Sequence, residues 1–120
     1  MGKHDGKIIP SYDIRFSRVY TYPCAGTGGH TESIKIYENG DLIASGTGNG
    51  YSSDWHNITI TPSVTLYKNN EYTYVIETGS YPQIHHTGNH STSTGFITCT
   101  EFVDANGRRY SDWIPAIRLA

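Results

Sequence analysis

The sequence predicts an all-β fold: an antiparallel β-sandwich, immunoglobulin-like or jelly-roll-like, of about seven to nine short strands. Three observations carry that expectation. Ten tyrosines, two tryptophans and three phenylalanines supply much of the apolar bulk, and aromatic and β-branched residues suit a pleated, half-buried surface. A single methionine and few leucines or alanines argue against a helical bundle. Turn-forming clusters recur roughly every ten residues, the spacing of short strands in a sandwich. With 120 residues, the chain reads as one domain, 1–120, large enough for one hydrophobic core and too small for two.

The elements follow in order. Residues 11–16 alternate, with Tyr12, Ile14 and Phe16 on one face. The phase then shifts at Ser17-Arg18 before Val19 and Thr21, which a β-bulge or a change of sheet would explain. A glycine-rich loop from Pro23 to Gly29 leads into His30. Asn39-Gly40, between Ser33–Glu38 and Asp41–Ala44, is the dipeptide of a two-residue type I′ hairpin. A loop from Gly46 to Asp54 precedes strand-like runs at 55–60, 63–67 and 71–78, the last two joined by Lys68-Asn69-Asn70. Gly79 to Thr94 reads as a loop, Gly95 to Val103 as a strand, and Asp104 to Gly107 as a turn. A final strand runs from Arg108 to Leu119, interrupted by Pro115, which suits an edge or a bulge.

A formal charge of −2 provides no basic field for nucleic acid, so none is expected as a partner. No apolar run is long enough to span a bilayer. Cys24 and Cys99 lie 75 positions apart. They are either two buried thiols, as in a cytosolic protein, or one disulfide, as in an exported one. Such a bridge would stabilise the fold by roughly 4 kcal/mol on the chain-entropy argument. Asn57-Ile58-Thr59 and Asn89-His90-Ser91 match the glycosylation sequon, with Asn57 and Asn89 as acceptors. Together these features favour an extracellular or cell-surface location.

Two histidines stand where an apolar residue belongs. Alternation aligns His30 and Glu32 with Ile34 and Ile36, and His56 with Ile58 and Ile60. A core face that turns polar at its end needs partners there: side chains, a metal ion or a ligand. Further along, Ile97, Cys99, Glu101 and Val103 share a face, so an inward Cys99 brings Glu101 inward too. With the loop histidines His85 and His86, these residues form a ligand set suited to zinc or copper. The structural alternative is that each inward histidine is hydrogen-bonded within the protein and that Glu32 and Glu101 pair with Arg15, Arg18 or His30.

Catalytic signatures are weaker. The chain has no G-x-S-x-G elbow, and Gly26-Thr27-Gly28-Gly29 lacks the Lys-Ser/Thr ending of a phosphate loop. Nothing fixes the separation of Glu32, Asp54, Glu77 and Glu101, the acids that could pair for glycoside hydrolysis. A binding role would use Tyr51, Trp55, Tyr81 and Trp113, which lie in or beside loops where flat rings stack on sugars or anchor a partner. For Trp55 and Trp113, ordinary core packing is the competing explanation.

Long stretches of the chain form one recognisable pattern. They are Tyr20 through Glu32, Gly50-Tyr51, Asp54 through Thr59, Thr78 through His86, Thr98 through Gly107 and Asp112 through Leu119. Together they resemble a domain of uncharacterised function in archaeal secreted and cell-surface proteins, often attached to β-helix or other extracellular repeat modules. His4-Asp5-Gly6 through Pro10 is similar to the opening segment of that family. The resemblance implies export and a modular surface role. It places Cys24 and Cys99 in matching motifs, which favours the disulfide, and adds His4 to the motif histidines His30, His56 and His85.

The expectation is therefore an extracellular, non-catalytic binding or assembly module of an archaeal cell surface, its partner an envelope polysaccharide or a surface protein. A zinc or copper ion held by His30, Glu32 and His56, with Glu101, His4, His85 or His86, is the associated metal hypothesis. The alternatives are a metal-dependent hydrolase of a surface polymer and a self-assembling filament or surface-layer subunit, a homo-oligomer built by strand exchange.

Overall fold

Alternation along each strand decides which side chains meet inside. In the computed structural model, all regular structure among the described residues is strand. The structure describes residues 2–21, 31–47, 57–78, 84–85, 87–92, 95–104, 106–115 and 117–119. The longer strands are β1 (Gly2–Pro10), β2 (Ile14–Thr21), β3 (Thr31–Glu38), β4 (Asp41–Thr47), β5 (Asn57–Leu66) and β6 (Tyr72–Thr78). Shorter ones follow: β7 (Ile84–His85), β8 (Asn89–Thr92), β9 (Gly95–Thr98), β10 (Glu101–Asp104), β11 (Arg109–Tyr110), β12 (Ile114–Pro115) and β13 (Ile117–Leu119).

The strands are antiparallel in the order β11-β10-β1-β6-β3-β4-β5-β2-β13, with β9 also on β1 and β8 on β9, while β12 and β7 form a separate pair. Buried side chains align in rows across the ladder. Ile34, Ile76, His4 and Phe102 are successive register partners, as are Ile36, Tyr74 and Gly6. The buried residues of β2 and β5, Phe16, Val19, Ile60 and Leu66, share one core with Ile8, Ile34, Ile36, Tyr72, Tyr74 and Ile76. The sheet therefore folds over on itself into a sandwich. Its corner is the β4–β5 step, where Ser45 and Thr61 are the one register pair among the described residues.

Several sequence expectations are met. Asn39 (φ 52°) and Gly40 (φ 85°) take the two positive-φ positions of the β3–β4 hairpin, as a type I′ turn requires. The register of β2 on β5 shifts between Phe16 and Arg18, where the alternation breaks. The runs 55–60 and 63–67 fall largely within one bent strand, β5. Its partner register jumps from Thr59 to Val64, and the intervening stretch contains Pro62, a residue confined to bulges and edges because it cannot donate to a ladder.

Other expectations need correction. There are thirteen strands among the described residues, several of only two residues. Part of the expected loop 79–94 is strand, with β8 pairing β9 along Asn89–Thr92. The final strand is three pieces that pair with three different partners, β10, β7 and β2. The strand expected over 95–103 is interrupted at Cys99-Thr100, because β9 pairs with the end of β1 and β10 with its start. Alternation does not carry across that break.

At the break, Thr98 sits over Gly6. Tyr74 Oη donates to the Thr98 carbonyl at 2.7 Å, the Lys7 amide donates to Thr98 Oγ1 at 3.1 Å, and the Thr100 amide donates to the Asp5 carbonyl at 2.8 Å. A Cβ at position 6 would run into the Thr98 carbonyl and the Tyr74 hydroxyl. Gly6→Ala is therefore expected to lower stability by about 2 kcal/mol or more through overpacking. Tyr74→Phe should cost about 1 kcal/mol through the lost hydrogen bond. Urea unfolding followed by far-UV circular dichroism measures both, and a neutral Gly6→Ala would refute this account of the break.

Candidate functional site

His4 stands on the inner face of β1, fully buried, with Ile76 opposite it on β6 and Phe102 opposite it on β10. Its ring lies 4.2 Å from that of Phe102, tilted by 34°. Nδ1 donates to the Trp113 carbonyl at 3.3 Å. Nε2 has no hydrogen-bond partner among the described residues. That pattern assigns the proton to Nδ1, since an empty acceptor in an apolar box is less costly than an empty donor to a carbonyl within reach. The rings continue outward. Phe102 stacks on Trp113 at 4.8 Å with planes 3° apart, and Trp113 stacks on Tyr110 at 4.8 Å.

Cys99 and Ile114 are buried beside Phe102 in the same small core. Burial pushes the imidazole of His4 down to about 4, opposed by the hydrogen bond to Trp113 and assisted by the positive amino terminus. Cys99 is a free thiol, its Sγ 3.9 Å from the Tyr110 carbonyl. Burial pushes its pKa up, the Trp113 backbone works against that, and the charges of Asp112, Asp5 and Glu101 add to it. A raised thiol is a poor nucleophile. Its expected disulfide partner, Cys24, lies outside the described residues.

The remaining sequence candidates divide. Glu101 does not share an inward face with Cys99. The break at Cys99-Thr100 turns Phe102 inward instead, and Glu101 sits 39% exposed, 3.4 Å from Arg109 Nε. It is the register partner of Asp5, whose carboxyl is raised first by burial and further by Glu101, with Lys3 opposing. Trp113 is half-buried, its ring stacked within the protein. Asn89 is exposed on β8. Glu32, Asn57 and His85 lie on described strands, but their side chains are outside the described set. His30, Tyr51, Trp55, His56, Tyr81 and His86 lie outside the described residues. Among the described residues, no three His, Cys, Asp or Glu side chains group closely enough to hold a metal ion.

The strand ends nevertheless converge. Thr31, where β3 begins, pairs with Thr78, where β6 ends, and Thr78 also faces Gly2 at the start of β1. Thr47, where β4 ends, faces Ser33, and Asn57, where β5 begins, faces Tyr20 near the end of β2. The strand ends that bound segments 22–30, 48–56 and 79–83 thus gather at one end of the sandwich. Those segments carry His30, His56, Tyr51, Trp55 and Tyr81.

Next to these ends, the outer face holds a feature that sequence reasoning missed. Register sets Ser33 beside Thr47, and Lys35 beside Ser45 and Thr61. Past Thr61, β5 pairs through Thr59 with Arg18 of β2. The sheet opens there into a cleft of about 350 Å³, lined by Ser33, Lys35, Ser45, Thr47, Thr59 and Thr61 with backbone of Ile34 and Gly46. The available signal was the run of small polar residues alternating with the core residues of three strands. Compared with known protein families, with curated proteins and with solved structures, the chain matches none.

The buried histidine has a pH consequence. Unfolded, an imidazole titrates near 6.5, whereas folded His4 titrates at about 4. Between those values the unfolded chain binds more protons, so stability falls as pH falls, by about 3 kcal/mol once both states are protonated. Asp5 acts with the opposite sign, because a raised carboxyl favours the folded state at low pH. The comparison with His4→Phe isolates the histidine. Wild type should lose urea resistance between pH 7 and 4.5 much more steeply than the variant, and equal slopes would sink the assignment.

Proposed function

We propose that this chain is an extracellular, non-catalytic binding module of the kind that archaeal cell-surface proteins carry beside repeat modules, its partner an envelope polysaccharide. The observation that carries the reading is the gathering of strand ends at one end of a rigid sandwich. They bound the segments that hold Tyr51, Trp55 and Tyr81, and loops positioned by a rigid scaffold are where binding residues concentrate. Aromatic rings there would stack on sugar faces. In the sequence, His30 and His56 fall in the segments that these strand ends bound and Glu32 follows the first of them, and a zinc or copper ion on the three would fasten the segments together.

Assembly by strand exchange is the second reading, and one observation bears on it. β13 pairs only with Val19–Thr21 of β2, so among the described residues Ile14–Arg18 has no strand on its outer edge. That edge carries a bulge and two exposed arginines, Arg15 and Arg18, devices that blunt edge-to-edge pairing. The binding reading is therefore preferred.

Two measurements test it. Untagged protein should co-sediment with insoluble cell-envelope polysaccharide, and Tyr51→Ala, Trp55→Ala and Tyr81→Ala should each weaken that binding about tenfold. No sedimentation, or binding indifferent to all three variants, would overturn the reading. For the metal, elemental analysis should find about one equivalent of zinc or copper per chain, lost in the His30→Ala, His56→Ala double variant. A metal-free chain after reconstitution would remove the ion from the proposal.

A further inference from the structure

We propose that the cleft between β3, β4 and β5 is a binding site for a neutral saccharide, a placement and ligand class that rest on the binding-module reading. The site is a grid of six side chains. Ser33, Thr47 and Thr59 form one row, and Lys35, Ser45 and Thr61 the next, on three neighbouring antiparallel strands. Along β3 and β4 neighbouring side chains stand about 4.8 Å apart across the strands and about 7 Å apart along them, and the space widens where β5 parts from β4. Its volume of about 350 Å³ is at the small end of ligand pockets, which run from about 300 to 1,000 Å³.

The chemistry of the lining selects the ligand. Five of the six side chains are hydroxyls, each able to donate and to accept, as the hydroxyls of a sugar do. The charges nearest the grid are mixed in sign, and on the β2 side Arg18 is the register partner of Thr59. Lys35 lies within the grid, and Glu77 stands at its rim, accepting from Ser33 Oγ at 3.4 Å. An anionic polymer would meet the Glu77 carboxylate as well as the cations Lys35 and Arg18, so its attraction is partly cancelled while its desolvation is not. A cation would find no carboxylate in the lining itself. Lipid or an apolar peptide would meet a lining more polar than apolar, with an ammonium set in it. A neutral saccharide uses both signs of charge, since its hydroxyls accept from the ammonium and donate to the carboxylate.

The geometry is prepared in advance. Beneath the grid, Ile34, Ile36, Ala44 and Ile60 are fully or almost fully buried, so the strands that carry the hydroxyls are anchored on the core. Little ordering is then required on binding. The opening exists because β5 leaves β4 after a single paired residue among those described. Lys35, Thr47, Thr59 and Thr61 are exposed to solvent, so a polymer can lie across the opening without threading an end.

The test is an amide NMR titration of the intact chain with cellotetraose, mannotetraose and, as the anionic counterpart, tetragalacturonate. The expected result is that a neutral tetramer shifts the amides of Ser33, Lys35, Ser45, Gly46, Thr47, Thr59 and Thr61. Thr47→Val and Thr61→Val keep the side-chain shape and suit an exposed strand; each should weaken binding about three- to tenfold. Shifts confined to other parts of the chain would overturn the cleft while leaving a saccharide-binding module in place. Tighter binding of tetragalacturonate at the same amides would overturn the ligand class. No shift with any tetramer would overturn the proposal, and the module reading would then stand or fall on polysaccharide co-sedimentation alone.

Discussion

The structure depends on the pairing of β1. Among its inward positions, His4, Gly6, Ile8 and Pro10, only Ile8 is a large aliphatic residue, yet β1 joins β6 on one side to β9 and β10 on the other. No other strand pairing among the described residues links β9 and β10 to β6. Backbone hydrogen bonds, not side-chain bulk, hold the strand in place, and each unmade one would leave a buried polar group unsatisfied. Gly6 makes the arrangement possible by leaving room for the Tyr74 hydroxyl to reach Thr98.

The consequence is a core in two parts. The larger unites both layers through Phe16, Leu66, Tyr72 and the isoleucines. The smaller, Cys99, Phe102 and Ile114, is bordered by Tyr110 and Trp113. His4 reaches into the smaller one and bonds the Trp113 carbonyl, tying the start of β1 to the segment that crosses from β11 to the other layer. A buried imidazole with one nitrogen empty is a weak tie compared with the aliphatic rows beneath the cleft. Differences of this kind separate the regions of a protein that open locally from those that open only with the whole.

How much of this was legible in the sequence depends on which signal each element carried. Asn39-Gly40 and the broken alternation at Ser17-Arg18 are local events with a single geometric explanation, and both stand in the structure. Ile34 and Ile36 showed their face through simple alternation. β1 did not, because glycine, lysine and aspartate hide a central strand that is specified by its partners and not by its own propensity. Glu101 was misplaced for a related reason: parity cannot be counted across Cys99-Thr100, and only the tertiary pairing of β9 and β10 reveals the break. The cleft was invisible because serine and threonine on an outer face are ordinary. What distinguishes these is the parting of β4 and β5, a property of two strands that no single segment encodes.

The placement of β1 also sets an order of events. It is the first described strand along the chain, yet Gly2 pairs with Thr78 and Asp104, and Ile8 pairs with Ile97. Every partner lies far downstream, so most of the chain must be gathered before β1 has anything to join. Contacts so distant in sequence close slowly, because the loop entropy comes due before the reward. While it waits, an apolar strand would be an aggregation hazard. Gly-Lys-His-Asp-Gly-Lys is instead well hydrated, and the composition that hid the strand from sequence reading is what lets it remain unpaired until its place is ready.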